Sequence, residues 1–292
     1  MTAPPEPTAA RSAGSQTRPR SRNVSVLAWF VGFAVMVLAV PFVVADVVEL
    51  HHDLYYLVYG SLVVLYVAVF MARVPCDWRR ALRNNLGLSL GVGVLVGAVA
   101  VRQVLSDDST DHPDGAFFVF ELFWRGVGYG LIDAVALFVF PALVTYALFR
   151  GDRHGVARKF GFAGAVLLLT LVVTTTYHLG YEHFRGEDVA NPLTGGVFMS
   201  VPAMLTGNPV GALVAHGAVH VSAVAHEYYG ADPGYLPPNL TDYPDRAGGL
   251  AGVILAVAWL LLLGGLVYQF RARLFGVRAL RDAGDDGGGA RR

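Results

Sequence analysis

Cysteine and charge are both scarce in this sequence, and each shortage excludes classes of protein. Cys76 is the single cysteine in 292 residues, which excludes a disulfide framework or a thiolate metal cluster within one chain. Charged residues make up 15% of the chain and the formal net charge is zero, and no basic patch of the kind that binds nucleic acid is visible. The sequence also has no phosphate-binding glycine loop and no serine nucleophile elbow.

Long apolar runs are what the chain has in abundance, since 54% of its residues are hydrophobic. Several runs reach the roughly 18 to 20 residues that a helix needs to cross a bilayer, and the polar stretches between them are too short for a soluble domain. The runs lie at about residues 24–45, 54–72, 86–105, 117–149, 160–180, 195–228 and 249–270. We therefore predict an all-α integral membrane protein with a single polytopic membrane domain at 24–275. A disordered basic tail is predicted at 1–23 and a flexible tail at 276–292.

The distribution of arginine predicts the topology, because short loops rich in Arg and Lys stay in the cytoplasm. Basic segments before the first run, after the second and after the fourth alternate with segments free of basic residues or rich in acidic ones. The basic C-terminal segment is also expected inside, which requires an even number of crossings. We therefore predict six transmembrane helices plus one re-entrant helical hairpin at 195–228, turning at Gly207 and Pro209, with both termini cytoplasmic. Two tight full crossings by 195–228 are the alternative.

The first apolar run follows a basic tail, as the apolar part of a secretory signal does. The run is longer than the apolar segment of a signal peptide, and no small-residue cleavage site follows it. We expect it to be retained as the first span.

Titratable residues interrupt the apolar background in the stretch "AHGAVHVSAVAHEYYG". His216 and His220 are four residues apart, and Glu227 falls on the same stripe of a regular helix. With a rise of about 1.5 Å per residue, His220 lies roughly 12 Å and His216 roughly 18 Å below the outer surface. Ionisable groups at that depth are costly unless they are paired or hydrated, so they point to a functional site.

Two other runs carry titratable pairs at the same spacing in the outer half of the bilayer. His178 and Glu182 lie near the outer end of the fifth span, and Glu121 and Arg125 lie on one face of the fourth run. We predict that these groups meet the histidines of the sixth run in one pocket. Asp133, midway along the fourth run, either marks a break near Gly130 or faces the interior of the bundle.

Two kinds of chemistry fit such a pocket. Neutral imidazole and carboxylate oxygens bind Zn²⁺ or another divalent metal, and the candidate ligands are His178, Glu182, His216 and His220. The same kind of site can position a water for attack, with a carboxylate as base and imidazoles holding the oxyanion. The candidate catalytic residues are Glu121, Arg125, His178, His216 and His220.

Structural roles are the alternative for several of these groups. Glu121 and Arg125 can form a purely structural ion pair, in which each buried charge compensates the other. Glu182, His183, His226 and Glu227 can lie in the headgroup region, where charge is tolerated. The histidine pair can be a hydrogen-bonded packing feature.

Three segments, "FELFWRG", "TYHLGY" and "AHGAVH", resemble in order the motifs of the CPBP family, the CAAX-protease and bacteriocin-processing (Abi) intramembrane peptidases. The family pattern is EExxxR, then FxxxH, then HxxxN or HxxxD. The resemblance implies a helical membrane bundle whose glutamate and histidines activate water to cut peptides. Glu121 and Arg125 match the first motif, His178 the second, and His216 with His220 the third. The chain departs from the pattern at Phe120, which takes the place of the first glutamate, at Thr174 and at His220.

Three functions follow as expectations. The first is an intramembrane hydrolase, a peptidase, that uses an activated water or a metal in the outer half of the bilayer. The second is a non-catalytic scaffold or a CPBP-like pseudo-enzyme, because Phe120 replaces the family's first glutamate. The third is a cation or proton transporter with its site at the re-entrant hairpin. The expected partners are membrane lipid and a peptide or protein substrate, not nucleic acid, and the expected location is a bacterial plasma membrane.

Overall fold

The structure, a computed structural model, describes residues 19–48, 50, 52–112 and 115–226. This part of the chain is helical and contains no strand, and five of its helices are long and apolar enough to cross a membrane. The helices are α1 (Pro19–Val40, continued by a π-helical segment at Pro41–Val47), α2 (His52–Arg73), α3 (Trp78–Arg83), α4 (Leu86–Val104), α5 (Gly115–Leu148), α6 (Val156–Leu179), α7 (Ala190–Thr206) and α8 (Val210–His226). The predicted all-helical fold is confirmed for these residues, and the five long apolar helices have the length and composition that the predicted membrane spans require. The predicted run at 249–270, the tail at 276–292 and Glu227 lie outside the described residues.

Local sequence signals explain where several helices begin and end. The Asp77 carboxylate accepts the backbone N–H of Arg80 at 2.9 Å and so caps the start of α3. α7 ends at Gly207, whose left-handed backbone (φ 73°) suits a residue without Cβ, and Pro209 precedes α8. α1 starts earlier than the sequence predicts, because residues 19–23 of the predicted tail are already helical.

α5 is the central helix of the bundle and is buried along most of its length, whereas α4 and α6 expose most of theirs. α1, α2, α6 and α8 all pack against it. Its C-terminal half contributes Phe140, whose ring lies 4.0 Å from that of Phe33 and 5.1 Å from that of Phe70. Its N-terminal half contacts a group of buried tyrosines instead. The core is therefore apolar around the C-terminal half of α5 and more polar around its N-terminal half.

α8 packs most extensively against α4, and glycine allows the two backbones to approach closely. A Cβ at Gly93 would collide with the backbone of Gly211, and one at Gly97 would lie 3.1 Å from the Cα of Ala215. Small residues at such a seam are typical of helix pairs in membranes. This contact fixes α8 in rotation, and hence fixes the direction of the histidines that it carries.

The turn between α7 and α8 is tied to two basic loops. The Asn208 amide donates to the carbonyls of Leu82 at 2.9 Å and Asn84 at 2.8 Å. The Arg153 guanidinium donates to the Thr206 carbonyl at the end of α7. The turn thus lies at the end of the bundle that holds the arginine-rich segments.

Candidate metal centre

Asp133 lies on an irregular part of α5. The helix is π-helical at Leu122–Tyr129 and at Val135–Val139, and a single α-helical segment, Gly130–Ala134, separates the two. π-helical turns are rare and are often found at functional sites. Their wider turn changes the rotation per residue, so a regular helical wheel does not give the direction of Asp133. Its side chain faces the interior, and the residue is 4% exposed.

α8 comes close to this part of α5 because two glycines of α5 face it. A Cβ on Gly130 would lie 2.7 Å from the Cβ of His220, and one on Gly126 would lie 3.1 Å from the Cα of Val221. Carbon atoms normally stay about 3.5–4.0 Å apart. The missing side chain at Gly130 therefore lets His220 reach the level of Asp133.

Three ligand-type atoms face one another at this point. His216 Nε2 lies 3.0 Å from Asp133 Oδ2 and 3.1 Å from His220 Nε2, and the third side, from His220 Nε2 to Asp133 Oδ2, is 3.8 Å. Asp133 and His220 are buried and His216 is partly buried. We call Asp133, His216 and His220 the cluster.

A cation would satisfy all three atoms, whereas hydrogen atoms alone satisfy them poorly. A carboxylate accepts, so His216 Nε2 must carry a hydrogen to bond Asp133, and it then has no lone pair for His220. His220 Nε2 then either competes for the same hydrogen as an acceptor or carries its own hydrogen toward Asp133 Oδ2 over 3.8 Å, which is too long for a good hydrogen bond. Buried polar atoms that face each other without enough hydrogens are costly.

The spacing of the cluster matches tetrahedral zinc coordination. Zinc binds imidazole nitrogen and carboxylate oxygen at about 2.0–2.2 Å, which places neighbouring ligand atoms of a tetrahedron roughly 3.3–3.5 Å apart. The three sides of the cluster average about 3.3 Å. Two histidines and one carboxylate also leave a fourth position for water or substrate. The cluster can thus hold a divalent metal.

Aromatic residues and one further histidine surround the cluster. The Tyr59 hydroxyl donates to Asp133 Oδ1 at 3.2 Å. The Phe138 ring lies 5.0 Å from that of His216, and the Tyr129 ring 5.4 Å from that of His220. His178, on α6, is close enough to interact electrostatically with Asp133 and His216.

The structure brings together part of the predicted site. His216 and His220 point into one cluster, as their spacing predicts, and Asp133 completes it by facing the interior. His178 lies beside the cluster, and its Nδ1–H donates to the Thr174 carbonyl at 2.7 Å, which leaves the lone pair on Nε2. Glu182, the fourth predicted metal ligand, is exposed in a short turn after α6 and does not join the cluster.

The Glu121–Arg125 pair lies apart from the cluster on α5. Arg125 NH1 is 3.5 Å from Glu121 Oε2, and both side chains are buried. Arg125 also interacts with Tyr56, and its charge reaches His220 electrostatically. Glu121 is not a member of the cluster, so its placement favours the ion pair over a base acting on water among the histidines. Glu227, predicted on the histidine stripe, lies outside the described residues.

Two residues around the site were not predicted from the sequence: the direction of Asp133 was left open, and Tyr59 was not considered. Asp133 had one usable signal, because it is a lone carboxylate in the middle of a long apolar run. Tyr59 had none, because a tyrosine in an apolar helix resembles an ordinary core aromatic.

Comparison of the chain with protein-family models, with curated proteins and with solved structures gives no match. The fold and the site define the class of protein: an all-helical chain with helices long and apolar enough to span a membrane and with a buried cluster of two histidines and one aspartate. The resemblance to the CPBP family stays a prediction from three short motifs.

Proposed function

We propose that the protein is a metal-dependent intramembrane hydrolase. In this proposal the cluster binds Zn²⁺, and the metal activates water for attack on an amide bond within the bilayer. The observation that carries it is the triangle of His216 Nε2, His220 Nε2 and Asp133 Oδ2, with sides of 3.0, 3.1 and 3.8 Å. Two histidines with one carboxylate form a ligand set found in hydrolytic zinc enzymes.

The chemistry follows from the open fourth position. A zinc-bound water loses its proton at a pH of about 7, far below that of free water, and becomes a strong nucleophile. His178 is the proposed acceptor, because its Nδ1–H is held by Thr174, its Nε2 keeps a lone pair, and it interacts electrostatically with Asp133 and His216. The metal and the nearby positive charge of Arg125 would stabilise the oxyanion that forms when the hydroxide attacks a carbonyl.

The topology in this proposal has both α7 and α8 crossing the membrane. The α7–α8 turn is bonded to Leu82, Asn84 and Arg153, which belong to the loops that the arginine distribution places in the cytoplasm. A re-entrant hairpin would turn inside the hydrocarbon, away from those loops. Two full crossings, together with the predicted run at 249–270, give eight spans and keep both termini inside.

The site then lies at a depth suited to substrates within the membrane. His216 is ten residues before the end of α8 and Tyr59 is seven residues after the start of α2, which corresponds to roughly 15 and 10 Å along the helices. A peptide that spans or enters the outer leaflet of a bacterial plasma membrane can present its backbone there. The CPBP resemblance independently suggests a peptide substrate.

The test begins with metal, because that part needs no substrate. The purified full chain in nanodiscs should retain or take up close to one Zn²⁺ per chain. Asp133→Asn should weaken binding by more than the roughly 10- to 100-fold typical of changes outside the ligand set. His226→Gln is the matched control, because His226 lies on the same helix and its side chain bonds the Asp107 carbonyl, outside the cluster.

Activity is measured on membrane-inserted peptides that carry a fluorophore and a quencher. Cleavage by the wild-type chain should stop when the metal is chelated, return with Zn²⁺, and be absent in Asp133→Asn. If the chain binds one metal ion but cleaves no peptide, the metal site stands and the proposed hydrolase activity is wrong. If Asp133→Asn binds zinc as tightly as the wild type, the proposed metal site is wrong.

A further inference from the structure

A group of five buried tyrosines lies between the cluster and the outer ends of α2 and α6. Its members come from α2, α5 and α6 and from the turn after α6, and each is at most 3% exposed: Tyr55, Tyr59, Tyr129, Tyr177 and Tyr181. We call them the tyrosine group. Phenylalanine would fill the same volume in a bilayer without a polar atom, so five hydroxyls in one place point to a role for the hydroxyls themselves.

The hydroxyls of this group are linked to one another. Tyr177 bonds Tyr181 at 2.8 Å and also bonds Tyr129, while Tyr181 bonds Tyr55. The Tyr59 ring is tilted 34° to that of Tyr177 at 5.3 Å, and the Tyr177 hydroxyl is a polar neighbour of the Tyr59 hydroxyl. The group is therefore one network rather than five separate phenols.

The network ends on the cluster in one defined contact. Tyr59 bonds Asp133 Oδ1, while the other carboxylate oxygen, Oδ2, faces the two histidines. A carboxylate only accepts, so Tyr59 must donate its hydrogen to Asp133 and accept any bond from Tyr177. The direction of donation thus runs from the tyrosine group toward the carboxylate.

This arrangement has two physical effects on Asp133. A hydrogen bond to Oδ1 prevents rotation of the carboxylate and keeps Oδ2 directed at the histidines. A hydroxyl that is itself polarised by a second hydroxyl donates a stronger hydrogen bond in a low-dielectric interior, so it holds the carboxylate more firmly in this orientation. Partners of this kind commonly orient metal-binding side chains.

We propose that Tyr59 is a positioning residue for the metal ligand Asp133, and that the tyrosine group behind it fixes the direction of its hydrogen bond. The inference rests on the metal site proposed above and extends it to residues that do not touch the metal. It assigns a graded role: Tyr59 acts on the carboxylate directly, and Tyr177 acts one step further away.

The experiment compares single Tyr→Phe variants of the full chain in nanodiscs. Tyr59→Phe removes the bond to Asp133, and Tyr177→Phe removes the central hydroxyl of the network. Tyr66→Phe is the matched control, because Tyr66 lies on the same helix and its hydroxyl donates to the Trp29 carbonyl at 2.7 Å. Each variant keeps its aromatic ring and loses one hydroxyl.

Two readouts are used, neither of which needs a substrate. The first is the Zn²⁺ dissociation constant by competition with a chelating dye, and the second is the visible absorption spectrum of the Co²⁺-loaded protein. We expect Tyr59→Phe to bind zinc roughly 10- to 100-fold more weakly and to shift the cobalt spectrum. Tyr177→Phe should show the same changes to a smaller extent, and Tyr66→Phe should match the wild type in both.

The outcomes separate this inference from the metal site on which it rests. The proposed metal site is wrong if the wild-type chain binds neither zinc nor cobalt. It is also wrong if Asp133→Asn binds these metals as tightly as the wild type. A chain that binds at Asp133 while Tyr59→Phe keeps wild-type affinity and spectrum overturns only the role of Tyr59. If Tyr59→Phe does not fold, Tyr177→Phe becomes the deciding variant. A zinc affinity of Tyr177→Phe equal to that of Tyr66→Phe would overturn the role of the tyrosine group.

Discussion

The close approach of α5 and α8 at Gly130 leads to a quantitative prediction for Gly130→Ala. The added Cβ would lie 2.7 Å from the Cβ and 3.0 Å from the Cγ of His220. Carbon atoms need about 3.5–4.0 Å, so His220 must move by about 1 Å. Its Nε2 atom already lies at the longest side of the cluster, 3.8 Å from Asp133 Oδ2.

The expected effects differ for stability and for metal binding. Extra volume in a packed core costs about 1–3 kcal/mol, and alanine returns about 1 kcal/mol through its better helix propensity, so the net loss of stability is about 0–2 kcal/mol. Metal–ligand distances stay within about 0.2 Å of their standard values, and His220 must move further than that. Zinc affinity should therefore fall by at least the roughly 10- to 100-fold that follows disturbance of a ligand's surroundings.

Gly128→Ala is the control, two residues away on the same helix. Its Cβ would make ordinary contacts, 3.4 Å from the Phe123 carbonyl oxygen and 3.7 Å from the Trp124 ring. Thermal unfolding in nanodiscs and dye competition for Zn²⁺ measure both quantities in each variant. Equal zinc affinity for the two alanine variants would show that the distance between α5 and α8 does not set the geometry of the cluster.

Three further changes test other parts of the structure. Gly93→Ala should lower the unfolding temperature because its Cβ collides with the backbone of α8, whereas Gly91→Ala, with no atom within 4 Å, should not; equal unfolding temperatures would contradict the close packing of α4 and α8. Leu205→Cys, at the exposed end of α7, should react with a membrane-impermeant thiol reagent only from the side on which native Cys76 reacts, and protection from both sides would favour a re-entrant hairpin. Glu121→Gln should reduce stability, because it removes the carboxylate that pairs with a buried guanidinium, and should leave zinc affinity unchanged; a loss of affinity would place Glu121 in the site.

The sequence predicts the helices well because each is long, apolar and bounded by clear signals. The fourth run at 117–149 and helix Gly115–Leu148 agree to within two residues at each end. The turn at Gly207 and Pro209 also falls where it was expected, since those residues suit few other conformations. Pairing between helices is different, because a lipid-facing leucine and a core leucine look the same in a sequence.

Residues of the site can be predicted from the sequence only where they recur at regular helical spacing. His216 and His220 share one face of an unbroken helix, so their convergence follows from four-residue spacing. The direction of Asp133 does not follow, because the flanking π-helical segments change the rotation per residue. The Glu121–Arg125 spacing is equally regular, yet it produces an ion pair along α5 that lies outside the cluster.

The two π-helical segments around Asp133 also bear on how easily such a site is gained or lost. Each residue of a regular helix turns the chain by about 100°. Deleting one codon within Leu122–Tyr129 would relax that segment to a regular helix and swing the carboxylate away from the histidines, while leaving the span long enough to cross the bilayer. Chains of nearly identical length and hydrophobicity can therefore differ in whether a carboxylate faces a pair of histidines, and a single inserted residue is enough to turn one from the surface of such a bundle into its interior.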